Sequence, residues 1–327
     1  MTKRLVLPWE LKYDWAMRGW VTSQKGWFYS IREKYGAKVA LEVFERVQKI
    51  DDRVKNLTNT ILTSFSLEGN DAETIGEAID ILDKITRTEY TILERSSTIN
   101  RRKVTQCPFK TGYKDVSDWP LIFFNIISKT INPITTLERP KGMCAGDPYC
   151  DYVWKLDESE RHKEAVKPVV KELVIPWKLK YDITFKGWRS NHKGWLYAVR
   201  EIYGATTTLE MYERMCRMGD RIKNITNQLR TIFNVEGNDA NTIIDVLATW
   251  LELCGFEYTI PERSKAMSSS LITKCPWTTD FKDISNWDLN TFVSILAKTI
   301  NPKAIVEQPK NMCAGDSYCE FVFKIEE

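Results

Sequence analysis

Histidine is almost missing from this chain. Its 327 residues include two, His162 and His192. They do not match each other in the chain's internal repeat: His192 falls opposite Gln24, and His162 sits in an unrepeated stretch. A Ser-His-Asp or Cys-His mechanism run in both copies is therefore excluded, as is a histidine-ligated metal repeated in both. An excess of one charge is missing too. Lys and Arg number 47 against 44 Asp and Glu, a net +3 with both signs interspersed, so no nucleic-acid footprint is expected. There is no run of 18 apolar residues, hence no expected membrane span. The opening MTKRLVLPWELKYDW lacks the apolar centre of a secretory signal. Without such a signal, the eight cysteines point to a reducing cytoplasm, where paired thiols more often bind metal or do redox work than form disulfides.

What is present is one unit written twice. LVLPWELKYD at Leu5 returns as LVIPWKLKYD at Leu173, and KGWFYSIREKYGA at Lys25 as KGWLYAVREIYGA at Lys193. EGNDAETI at Glu68 returns at Glu236, and MCAGD at Met143 returns at Met312. The offset is 168 as far as Trp119/Trp287 and 169 from Ile131/Ile300, so the second copy carries one extra residue between those points. A period this long is a domain duplication, not a solenoid repeat. The reading is two tandem homologous domains, 1–156 and 173–327, joined by a charged linker at 157–172 that contains Pro168. Such a pair could dock as an intramolecular pseudo-dimer.

Each copy reads as α+β: a helical N-terminal part, then a mainly antiparallel sheet of two hairpins with an intervening helix. Phe44, Val47, Val54, Leu57, Ile61 and Phe65 keep helical spacing, which predicts one long amphipathic helix over 37–65. Asn70 or Asp71 is placed to cap a second helix through Ile75, Ile79 and Leu82. Strand-like runs follow at 89–94 and 103–107. Ser117, Asp118 and Pro120 start a helix that Asn132-Pro133 ends. Short strands are expected at 134–137 and 149–156.

Three cysteines recur in register: Cys107, Cys144 and Cys150, then Cys275, Cys313 and Cys319. Gly146 and Asp147 form a turn that brings Cys144 and Cys150 toward each other. Three thiolates plus one oxygen suit a soft tetrahedral ion such as zinc. The carboxylates available in both copies are Glu94/Glu262, Glu89/Glu257, Glu138/Glu307 and Asp147/Asp316. Two other readings stand beside it: thiols packed as small hydrophobes, and a redox pair within C-x5-C. Cys216 and Cys254 lie opposite Gln48 and Thr86 and read as packing residues. Trp9/Trp177, Trp20/Trp188 and Trp27/Trp195 read as helix-on-helix core, with an apolar pocket as the alternative. Arg53/Arg221 reads either as an anchor for a substrate carboxylate or as an ion pair with Asp52/Asp220.

The element order and the endings CAGDPYCDYVW and CAGDSYCEFVF resemble the 4-vinyl-reductase domain. The segment KGWFYSIREKYGA is similar to the helical start of the related group of L-2-amino-thiazoline-4-carboxylic acid hydrolase-like proteins. The resemblance covers nearly all of each copy. It implies a small-molecule sensor or carrier module, with zinc held by three Cys and a preceding Glu. On this chain those ligands would be Cys107, Cys144, Cys150 and Glu94, then Cys275, Cys313, Cys319 and Glu262. The hydrolase-like relatives imply instead the metal-assisted opening of a cyclic C–N or C–S bond, for which no catalytic residues can be matched. A third implication is a scaffold or assembly subunit with a protein partner. The expected function is thus a tandem small-molecule-binding protein, with hydrolase and scaffold as alternatives.

Overall fold

The computed structural model describes residues 7–156, 174–287 and 289–326. The linker expected at 157–172, with His162, lies outside them. The fold is α+β, with two four-stranded antiparallel sheets, each preceded by helices. Two compact units divide the chain: Trp20–Ala198, and the described residues up to Gly19 together with those from Val199 onward. The cuts run through the opening helix of each copy, so the units do not coincide with the repeat boundaries.

In the first copy, α1 (Trp9–Tyr35) ends at Gly36, whose φ of 91° starts α2 (Ala37–Lys49) in a new direction. Gly204, with φ 83°, makes the same bend inside α6 (Trp177–Arg217). The single helix expected over 37–65 is broken. Asp51 and Asp52 both take left-handed φ values, 51° and 52°, and α3 (Arg53–Ser64) begins after them. The apolar spacing runs through the break because both halves bury the same side: Val43, Phe44 and Val47, then Val54, Leu57 and Ile61. The second copy shows the same break at Gly219 and Asp220, ahead of α7 (Arg221–Ile232).

Helix α4 (Ala72–Thr86) is capped by Asp71, whose carboxylate accepts the Thr74 N–H at 2.8 Å. It leads into β1 (Glu89–Arg95) and β2 (Ile99–Gln106). Helix α5 (Trp119–Ile131) follows, with Pro120 in its first turn, and then β3 (Thr136–Lys141) and β4 (Cys150–Lys155). The strand order is β1-β2-β4-β3. Strand β4 is central and buried from Cys150 to Trp154. Alternation places Cys150, Tyr152 and Trp154 on one face, opposite Val104, Arg102 and Asn100 of β2. Helix α5 covers that face through Phe124, 5.2 Å from the Tyr152 ring and 5.9 Å from Trp154.

The second copy repeats the plan with α8 (Ala240–Leu253), β5 (Glu257–Arg263), β6 (Met267–Lys274), α9 (Ser294–Ile300), β7 (Ala304–Lys310) and β8 (Cys319–Ile325), in the order β5-β6-β8-β7. A π-helical turn at Leu289–Val293 precedes α9. It falls in the segment that carries the extra residue, and widening one turn absorbs an insertion without breaking the helix.

In the unit Trp20–Ala198, Trp27 and Trp195, which hold the same place in the repeat, lie parallel with centroids 6.3 Å apart. Trp27 Nε1 donates to His192 Nδ1 at 3.3 Å, and Trp195 Nε1 donates to Gln24 Oε1 at 3.3 Å. These rings are core, as the spacing predicts, and His192 is engaged there as a core acceptor. Trp9 and Trp177 are instead exposed. Among the described residues no helix is long and apolar enough to cross a membrane.

Candidate functional site

The three recurrent thiols of the first copy share one corner. Cys107 follows the end of β2, Cys144 lies in a 3-10 turn at Met143–Ala145, and Cys150 opens β4. Each sulfur accepts a backbone N–H: Phe109 to Cys107, Thr111 to Cys144 at 3.3 Å, and Met143 to Cys150 at 3.2 Å. The second copy repeats the set, with Trp277 to Cys275, Thr279 to Cys313 and Met312 to Cys319 at 3.2–3.3 Å. Burial, with the neighbouring Cys144 and Cys150, pushes the Cys107 thiol up to about 12. It is therefore neutral and a poor nucleophile.

The expected fourth ligand is elsewhere. Glu94 is exposed and pairs with Arg101, six residues along β2 from Cys107, about 20 Å at strand rise. Glu262 is likewise exposed near the far end of its hairpin, opposite Ser269. Of the other carboxylates, Glu138 pairs with Lys155, Glu307 with Lys324 and Glu257 with Lys274, Asp147 and Asp316 accept the N–H of Gly142 and Asn311, and Glu89, opposite Gln106 at the Cys107 end of the hairpin, is exposed. Among the described residues, no group of three or more His, Cys, Asp or Glu is arranged to hold a metal ion. Glu94 and Glu262 thus do not join the three thiols of their copies as a fourth ligand.

Beside the thiol corner, inside the unit Trp20–Ala198, lies a cavity of about 770 Å³, counting its part open to solvent. It sits between the sheet face of Val104, Cys150 and Tyr152 and the helices that cover it. Its aromatic wall is continuous. Trp20 lies 5.5 Å from Phe109, Phe109 6.2 Å from Trp119, and Trp119 5.5 Å from Phe44. The lining is predominantly apolar, as that of small-molecule sites is in general.

Polar groups enter this wall at two places. The first is the break between α2 and α3. Left-handed Asp51 and Asp52 turn the chain so that Arg53 folds back onto the end of α2. Its Nε donates to Val47 O at 3.2 Å, and its Nη2 donates to Gln48 Oε1. Among the described residues Arg53 has no carboxylate partner; Asp52, the expected one, is exposed. Burial lowers the Arg53 pKa to about 9. Arg53 keeps some accessible surface, as a cavity-lining side chain does.

The second place is α4. Asp83 lines the cavity and is held from behind by Arg102 Nη1 at 2.6 Å. Arg102, 1 % exposed, also bonds Asp80 at 2.8 Å, and Asp80 in turn bonds Arg95 at 2.8 Å. Burial raises the Asp83 carboxyl to about 7, against the opposing pull of Arg102.

Sequence reasoning singled out the thiols, Arg53 and, as an alternative to core, an apolar pocket at Trp20, but missed Gln48 and Asp83 in its lining. The available signal was the difference between the copies, because Gln48, Asp83, Leu82 and Thr88 give way to Cys216, Leu251, Trp250 and Phe256. Comparison with protein-family models, with curated proteins and with solved structures finds no match.

Proposed function

We propose that this chain is a small-molecule-binding protein that holds one apolar ligand in the cavity of the unit Trp20–Ala198 and does no covalent chemistry on it. The observation that carries this reading is a preformed cavity with a continuous aromatic wall. Its lining also favours binding over hydrolysis. Asp83 is the only carboxyl on the wall, and it is tied to Arg102. The Cys107 thiol, also on the wall, is neutral. The thiol corner serves this reading as a fastening: its N–H···S bonds hold the last turn and the loop after β2 against the sheet that floors the cavity.

The test borrows the second copy's own residues. Leu82→Trp with Thr88→Phe places the side chains of Trp250 and Phe256 at the equivalent positions of the cavity wall. Titration with the neutral dye N-phenyl-1-naphthylamine should saturate at one equivalent in the natural chain. It should weaken by roughly a hundredfold in the double variant, about 2.7 kcal/mol, with the melting transition retained. A natural chain that takes up no dye, or a folded double variant that binds it as before, overturns the reading.

A further inference from the structure

The polar atoms of the cavity are unbalanced, and resting on the cavity reading above, that imbalance identifies the ligand's chemistry. Arg53 uses two of its five N–H groups, on Val47 O and Gln48 Oε1. Its Nη1 has no protein partner among the described residues. Because a guanidinium only donates, Gln48 must turn its oxygen toward Arg53, which leaves its Nε2 facing away. That Nε2 is buried and unpartnered, as is Trp119 Nε1. Both residues line the cavity. Asn191 contributes one unpartnered oxygen, on an amide that can turn either way. Buried donors without acceptors are costly, and Arg53, half-buried, reaches the cavity with no carboxylate partner among the described residues. A ligand anion would answer both.

The charge count narrows the class. Among the residues lining the cavity, Arg53 is the only cation. A dianion such as a phosphate monoester would bring one charge too many into an aromatic enclosure, whereas a carboxylate matches the planar fork of one guanidinium. Phe44 lies one helical turn before Gln48, so an apolar body would run from the anion onto Phe44, Trp119 and Trp20.

We propose that the ligand is an apolar, flat-bodied carboxylic acid, bound as its carboxylate by Arg53 and the Gln48 amide. The test compares 2-naphthoate with 2-naphthamide, which share a ring system and differ in charge, by isothermal titration on the full chain. The natural protein binds the acid at least about tenfold more tightly than the amide. Arg53→Gln abolishes that preference, the acid losing far more affinity than the amide. Gln48→Leu weakens the acid several-fold and the amide less. Should Arg53→Gln fail to fold, Arg53→Lys keeps the charge without the fork and must shrink the preference. Naphthoate binding no tighter than naphthamide in the natural chain, absence of binding by either included, overturns this inference. So does a preference that survives Arg53→Gln, or one unchanged in Arg53→Lys. In each of those cases a positive neutral-dye titration leaves the cavity reading standing.

Discussion

Two equivalent places in the repeat have been furnished in opposite ways. In the first copy, Leu82 and Thr88 stand at a cavity, and Asp80, Asp83 and Arg102 form a buried charge cluster behind it. At the same positions the second copy has Trp250, Phe256, Ala248, Leu251 and Ser270. Trp250 lies 4.8 Å from the Phe292 ring and 6.3 Å from Trp15, and Leu251 and Phe256 are buried. The second copy spends these positions on apolar packing. The first keeps space and desolvated charge, which cost stability and make sense where a ligand is to be held. One polar element survives in both. Arg221 matches Arg53, is likewise half-buried, and has its pKa lowered to about 10 by desolvation, but its neighbours are Met215 Sδ and the Cys216 thiol rather than a glutamine amide.

This contrast can be broken most forcefully at Arg102. Arg102→Met strands Asp83 in the interior, leaves Asp80 only Arg95, and should cost about 3–5 kcal/mol in denaturant unfolding. The triple change Asp80→Ala, Asp83→Leu and Arg102→Ser, which reproduces the second copy, should cost less than that single change. A triple variant that is worse would show that the charge cluster is structural in its own right. Next comes the reverse exchange, Trp250→Leu with Phe256→Thr. It removes buried aromatic volume and should cost about 2–4 kcal/mol, while allowing a second equivalent of N-phenyl-1-naphthylamine to bind. Destabilisation without a second dye site would mean that more than these two side chains closes the second copy.

The electrostatic contrast is sharpened by pH. Arg53, held at about 9, loses its proton well before an ordinary arginine does, and Asp83 gains charge as pH rises through about 7. Both changes disfavour a bound carboxylate. Naphthoate affinity should therefore ease off above neutrality and fall about tenfold per pH unit beyond about 9, while naphthamide affinity stays level. A flat naphthoate profile to pH 10 would contradict the role given to Arg53. The smallest effect serves as the control. Asp71→Ala and Asp239→Ala each remove a cap that both copies share, to Thr74 at 2.8 Å and to Thr242 at 2.9 Å. They should cost about 1 kcal/mol apiece, with no change in ligand affinity.

Local signals carried much of the fold. The Asp71 cap and the Pro120 start and Asn132 stop of α5 follow from short-range chemistry and are found where the pattern places them, whereas the two hairpins are found with shifted bounds, β2 starting at Ile99 rather than at 103 and β3 running over Thr136–Lys141 rather than 134–137. The break at 50–52 was hidden because the apolar spacing continues across it and the first copy uses aspartate for left-handed backbone. Gly219 in the second copy was the legible clue. The thiol grouping was readable from register, since Cys107 and Cys150 end up at the same end of adjacent strands. The placement of Glu94 was not, because a carboxylate on a hairpin reads alike whether it sits at the tip or at the base. The cavity was least legible of all. A void is a property of what neighbouring side chains fail to fill, and the residues that leave it open are the ones that differ between copies.

The central claim is that one copy binds and the other is filled. It is tested most directly by counting 2-naphthoate molecules per chain by isothermal titration, in the natural protein and in Leu82→Trp/Thr88→Phe. The account predicts one site in the natural protein and none in the double variant. Two sites per chain, or a single site untouched by filling the first copy's cavity, would contradict it.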